Sequence, residues 1–221
     1  MSAYTVLADK MVFIKSHGRR IRKVPPSQAP RIDMINLMLS KCKNQNEELV
    51  ILVGWNLALR SLEIAGLKVH DFDFIHKTAF IREEASKGNY SSGYIPIISN
   101  KFMDRIKRFI EAKNLGNDDY LLNYTKQRMP YTTRHLRRMA KSIGTRAGMP
   151  EFHTHMLRHS MARWLIEAGH NLSFVKDFLR HTSIQMTVDL YGQFELKDRL
   201  RQAQEGRQPI FVYDNRDSPE S

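Results

Sequence analysis

The stretch from Glu47 to Leu59 constrains the fold more than any other part of the chain. Beyond its first turn it is apolar almost all round, so a helix here has no face to offer water. A membrane span needs roughly 20 apolar residues, and this stretch is shorter and interrupted by Asn56. It therefore predicts a central helix buried by other elements. With 221 residues and 42% hydrophobic content, the chain has enough apolar side chains to build that surround. The same composition excludes disorder throughout and fibrous repeats.

Around this segment the pattern is mainly helical. Ile32, Ile35, Leu37 and Leu39 suit a first helix, and Ser61 to Gly66 a short one ending at glycine. The period then changes. Thr78 to Arg82 and Tyr94 to Ile97 are β-type runs on either side of the turn-rich Ser86 to Gly93, a hairpin with a third strand near Asp71 to Phe74. Helices return: Phe102, Ile106, Phe109 and Ile110 share a face, and Leu136, Met139, Ala140 and Ile143 mark a helix from about Thr132 to Gly148. Leu157, Met161, Trp164, Leu165 and Ala168 give an amphipathic helix stopped by Gly169, and Leu172 to Leu179 a shorter one. The expected class is mainly α with a small antiparallel β-sheet, an α+β domain over residues 31–194. Residues 1–30 read as a proline-punctuated basic arm (Lys15, Arg19, Arg20, Arg22, Lys23, then Pro25, Pro26 and Pro30) and residues 195–221 as a tail.

Thirty-five Lys and Arg against 23 Asp and Glu leave a net charge of +12, which points to a polyanionic partner. The charge is concentrated. Arg134, Arg137, Arg138 and Lys141 recur at spacings of three and four opposite the apolar stripe, in the acid-free segment Tyr131 to Pro150. Such a face can lie along a phosphate backbone, whereas a merely solvated face usually mixes in acids. Cys42 is the only cysteine, so no internal disulfide and no thiolate metal cluster can form, and a reducing cytosol is the natural compartment. Met1 to Ile14 does not read as a signal peptide.

The chemistry concentrates in three places. His155 and Arg158 stand three apart at a helix start, where an imidazole, a guanidinium and free N–H groups together suit a phosphate. Arg60 follows the buried helix. Leu179-Arg-His181 is followed, ten residues past His181, by Tyr191. A tyrosine hydroxyl titrates near 10 and is a poor nucleophile unless cations and a base stand beside it.

In this order the boxes resemble the tyrosine recombinase, or phage integrase, family. Ala58-Leu-Arg-Ser-Leu-Glu63 is similar to its first box, His155-Met-Leu-Arg-His159 to its third, and Leu179-Arg-His181 with Tyr191 to the last two. The resemblance covers roughly Arg31 to Phe194. It implies the family's catalytic-domain fold and a site-specific DNA recombinase, working without metal, ATP or other cofactor. Tyr191 would attack a scissile phosphate and leave a covalent 3′-phosphotyrosine and a free 5′-hydroxyl. Arg60 and Arg158 would clamp the non-bridging oxygens, His155 would accept a proton and donate a hydrogen bond, and His181 would hold the phosphate or the tyrosine. A hairpin lysine would protonate the leaving oxygen: Lys87 is the expected one, with Lys77 as competitor. Glu63 is expected to orient its neighbours, and His153 and His159 to stand outside the reaction. The partners implied are double-stranded DNA, further copies of the chain in a tetramer on paired sites, and DNA-bending accessory proteins, in a cytoplasmic, nucleoid-associated setting.

Two positions depart from the family pattern, Ala58 and Arg180, each where a glycine is usual. Both are expected on helical backbone, Arg180 with its side chain on DNA phosphate. The region ahead of residue 31 is also short. The chain is similar either to the single-domain fimbrial DNA invertases or to the catalytic part of a longer integrase. Pro209 to Tyr213 is a docking strand for a neighbouring copy or a frayed tail. Competing readings are a DNA-binding relative without cleavage, a type IB topoisomerase, an RNA-binding protein and a helix-turn-helix repressor. Simple binding does not require the arginine, histidine and tyrosine set.

Overall fold

The computed structural model describes residues 28–82, 92–124 and 128–192. The apolar segment is the helix α2 (Gln45–Asn56). Asn44 caps it by accepting from the Glu47 N–H at 3.0 Å, and Glu47 and Glu48 in its first turn complement the helix dipole. Every residue from Leu49 to Asn56 is buried. Helix α1 (Ile32–Ser40) and helices α4 (Asn100–Lys113), α5 (Thr133–Arg146) and α6 (Thr154–Glu167) pack around it. Ser99 and Thr132 cap α4 and α5 through their side-chain oxygens, as serine and threonine at helix starts do.

The closest packing is between α2 and α6. A Cβ on Gly54 would lie 2.6 Å from the Leu157 Cδ1, so glycine there leaves the room that the Leu157 side chain fills. Helix α6 is not the one-faced helix its apolar spacing predicts. Met156, Leu157, Arg158, Ser160, Met161, Ala162, Arg163, Leu165 and Ile166 are all buried, polar residues included. Trp55 donates to Ser160 at 3.2 Å, and Ser160 donates to the Pro30 carbonyl at 2.5 Å. Ala29 and Pro30 are buried as well, so the chain joins its core slightly before residue 31.

The expected sheet is present. Strands β1 (Phe72–Asp73), β2 (Thr78–Ile81) and β3 (Gly93–Pro96) run antiparallel in that order, with Ala79 opposite both Phe72 and Ile95. Phe72, Ala79, Ile81 and Ile95 face the core, as alternation requires. A second pair, β4 (Asn123–Tyr124) and β5 (Met129–Pro130), leads into α5. Helix α3 (Ser61–Gly66) follows α2 directly. Helices α7 (Leu172–Phe178) and α8 (Ile184–Gly192) pack on each other, and α7 also on α6. Among the described residues no helix is long and apolar enough to cross a membrane. The tail from residue 193 onward, Pro209 to Tyr213 included, lies outside the described residues.

Candidate active site

Two helix ends build the site. Helix α2 closes in a turn where Ala58 N–H bonds to the Trp55 carbonyl and Leu59 N–H to the Gly54 carbonyl, with Ala58 at φ +48°. Helix α7 closes the same way: Arg180 N–H to Asp177, His181 N–H to Lys176, and Arg180 at φ +52°. Both are Schellman terminations, whose left-handed residue is usually glycine. The expectation of helical backbone at Ala58 and Arg180 is thus overturned. These are the positions that end the helices, and the turn geometry requires a left-handed residue there.

Arg158 ties the two turns together. It is 3% exposed, and its guanidinium donates from Nη1 to the Ala58 carbonyl at 2.8 Å and from Nη2 to the Leu179 carbonyl. Residues a hundred positions apart therefore meet at one side chain. Burial, and then the neighbouring charges of Arg60 and Arg180, pull the Arg158 guanidinium down to about 9, still charged at neutral pH.

Arg60 opens α3 in extended conformation (φ −80°, ψ 158°). The fully buried Glu63 accepts from the Arg60 backbone N–H at 2.8 Å and from its Nη1 at 3.0 Å. Glu63 thus has the orienting role expected of it. The same carboxylate accepts from Arg180 Nη2 at 2.8 Å. Arg180 is 8% exposed, so its guanidinium is committed inward to Glu63. This differs from the expected surface contact with phosphate: the guanidinium is buried against Glu63.

The start of α6 is brought alongside by a hydrogen bond of 2.5 Å between Ser61 and Thr154. His155 sits in its first turn, solvent-exposed on one side. Desolvation of its packed side, followed by the charges of Arg158, His153 and Arg60, holds its pKa at about 4. His159 lies against it, ring centroids 4.5 Å apart and edge-on. The two stand four apart on one helix, so they share a face. His159 is drawn down to about 3 by burial first. The expectation that His159 stands outside the reaction takes no account of this pairing with His155.

His181 completes the cluster. Its Nδ1 is 2.9 Å from the Thr187 Oγ1 on α8, and Thr187 is fully buried. Burial and then the charges of Arg158 and Arg60 lower His181 to about 4. Thr187 drew no attention in the sequence, although its spacing of six from His181 is the signal available. Tyr191 stands on the same helix one turn beyond Thr187; its backbone is helical and its side chain lies outside the described residues. Lys87 also lies outside them. Lys77 is described, exposed at φ +54° in the β1–β2 turn, where its carbonyl accepts from the Ile97 N–H at 2.7 Å.

Arg134, Arg137, Arg138 and Lys141 are all exposed along α5. Arg137 is close enough to the start of α6 to depress the pKa of His153, after burial. Arg146, on the same helix, does not join them. It is held by Glu47 at 2.5 Å and the Lys41 carbonyl at 2.9 Å.

A sequence model of the phage integrase family matches residues 22–195. The chain belongs to the phage integrase family. It is 27% identical over 167 residues to a tyrosine recombinase of Pseudothermotoga lettingae, covering 75% of this chain and 56% of that one. It is 27% identical to the tyrosine recombinase XerA of Thermococcus kodakarensis, covering 73% and 55%. The integrase of Salmonella phage P22 is 26% identical, covering 81% and 46%. The chain thus spans about half the length of the curated relatives it matches. Among solved structures of the phage integrase fold, the crystal structure of XerA recombinase superposes with a TM-score of 0.68 at 19% identity, over 86% of this chain and 68% of that one. XerH recombinase bound to its difH substrate superposes at 0.61 and 22% identity, over 76% and 50%.

Proposed function

We propose that the chain is the catalytic part of a site-specific DNA recombinase that cuts and rejoins strands through Tyr191. One observation carries the reading: Arg158, at the heart of the third family box, binds the carbonyls of Ala58 and Leu179, beside the first and fourth. One buried cation therefore collects Arg60, His155 and His181 into a single anion-binding centre. Two arginines at a transferring phosphoryl group supply fixed positive charge where negative charge develops, usually the largest catalytic contribution.

In the proposed step the Tyr191 hydroxyl attacks the scissile phosphorus and its proton passes to His155, which is neutral above about pH 4 and so able to accept it. The bond from phosphorus to the 5′-oxygen breaks, and Lys87 protonates that oxygen. A free 5′-hydroxyl attacking the phosphotyrosine reverses the sequence. The phosphodiester bond energy is kept in the enzyme–DNA bond, so rejoining needs no further energy source. His181, hydrogen-bonded to Thr187 on the helix of Tyr191, sets that helix against the phosphate. The exposed row of Arg134, Arg137, Arg138 and Lys141 grips the duplex backbone, joined by the basic residues ahead of Pro25.

The similar XerH recombinase has been captured with difH substrate before and after cleavage, which supports double-stranded DNA as the substrate class. Synapsis in a tetramer, with accessory DNA-bending proteins, follows from the same reading. The test is a duplex carrying the cognate junction and a nick beside the cleavage point, which after attack loses the short fragment that bears the free 5′-hydroxyl. The wild-type chain is expected to give a covalent protein–DNA band on a denaturing gel. Arg158→Ala should lower the yield by about 10²-fold or more, the usual effect of removing a transition-state cation. Binding of the duplex with no band under any condition would favour a DNA-binding protein without cleavage.

A further inference from the structure

Glu63 is completely buried and faces two arginines, Arg60 at 3.0 Å and Arg180 at 2.8 Å. A buried carboxylate with Arg60 as its sole cation would hold that guanidinium as a neutral pair and blunt its attraction for any anion. Arg180 changes this. Its side chain is 5% exposed, less than the 28% of Arg60, and the two guanidiniums hold different oxygens of the carboxylate, Arg180 holding Oε2 and Arg60 holding Oε1. The inner arginine neutralises the carboxylate, and the outer one keeps its charge for what arrives from solvent. Arg60, Arg158 and Arg180 against Glu63 leave these four side chains with a net charge of +2.

We propose that Arg180 is a positioning residue of the strand-transfer centre: it neutralises Glu63 from the interior and thereby leaves the charge of Arg60 to the phosphate. The inference rests on the function proposed above and assigns Arg180 no contact with DNA. It also accounts for an arginine at a left-handed position, since the ion pair with Glu63 offsets the backbone cost there.

Two variants separate charge from shape. Arg180→Gln keeps a donor for Glu63 and removes the charge; Arg180→Gly removes the side chain and relieves the left-handed backbone. Both are measured for covalent-adduct rate on the nicked duplex, for duplex affinity across a salt series, and, without DNA, for inorganic phosphate binding followed by NMR of the arginine guanidinium groups. The expected result is an adduct rate and a phosphate affinity each lowered about tenfold, the scale of one fixed charge several ångströms from an anion. Duplex affinity and salt slope should stay unchanged. In Glu63→Gln/Arg180→Gln the phosphate affinity should recover, because no buried anion then competes for Arg60. Unchanged rate and phosphate affinity in both single variants would overturn the proposal, leaving Arg180 a packing residue. So would a salt slope lower by about one, the mark of a lost phosphate contact. If the wild-type chain forms no adduct on any duplex, the recombinase reading falls, and the phosphate titration still decides the role of Arg180 on the same two outcomes.

Discussion

At the residue scale, Arg158 links stability to chemistry. Two of its donors hold main-chain carbonyls of two helix-ending turns, and a buried carbonyl left without a donor costs about 1–3 kcal/mol. Arg158→Lys keeps a charge but not the planar fork. It should destabilise the chain by about that amount in urea unfolding while also lowering adduct formation, though by less than Arg158→Ala. The histidines give a second prediction. His155 and His181 sit at about 4 and His159 at about 3, all below the ordinary 6.5. As pH falls below 6.5 the unfolded chain takes up protons that the folded chain refuses, so stability declines between about 6.5 and 3 and is fully present above that window. An NMR titration of the DNA-free chain should place the His155 and His181 midpoints well under 6. Midpoints near 6.5 would show that neither ring is desolvated as the structure has it. Arg60, His155, Arg158 and His181 were legible in the sequence because each stands in a box of fixed spacing. Arg180 was misread because residue type and spacing do not show which way a side chain points at a left-handed turn, and for the same reason they do not show that the His159 ring packs on His155.

At the element scale, the helices with clear caps and one-sided stripes were read to within a few residues, as α4 and α5 show. Helix α6 kept its boundaries but not its expected amphipathicity, because its polar residues Arg158, Ser160 and Arg163 are buried with partners in the interior. Strands β4 and β5 are two residues each and carry no period to detect. Helix α8 contains the β-branched Ile184, Thr187 and Val188, which weaken its helical signature. Close packing of elements yields a stability prediction. A Cβ on Gly144 of α5 would meet the Phe152 side chain and, at 2.5 Å, the Met149 carbonyl. Gly144→Ala should therefore cost about 1–3 kcal/mol in thermal or urea unfolding, as overpacking does. The exposed face of α5 yields a binding prediction. Arg137→Ala/Arg138→Ala should weaken duplex affinity evenly across sequences and reduce the salt slope by about one per lost phosphate contact. An unchanged slope would show that this face does not meet DNA.

At the scale of the whole molecule, the net charge of +12 and the gathering of distant boxes around Arg158 point the same way. The basic row on α5 and the start of α6 approach one another through Arg137 and His153, so the proposed grip and the proposed chemistry are neighbours. The chain spans about half the length of the curated relatives it matches. With its net charge of +12, duplex affinity should fall steeply with salt. The central claim is that Tyr191 becomes covalently bound to DNA. The most direct measurement is to trap the adduct on the nicked duplex, digest it, and locate the nucleotide-bearing residue by mass spectrometry, with Tyr191→Phe in parallel. The account predicts a nucleotide on Tyr191 in the wild-type chain and none in the variant. An adduct that persists in Tyr191→Phe, or maps to another residue, would contradict it.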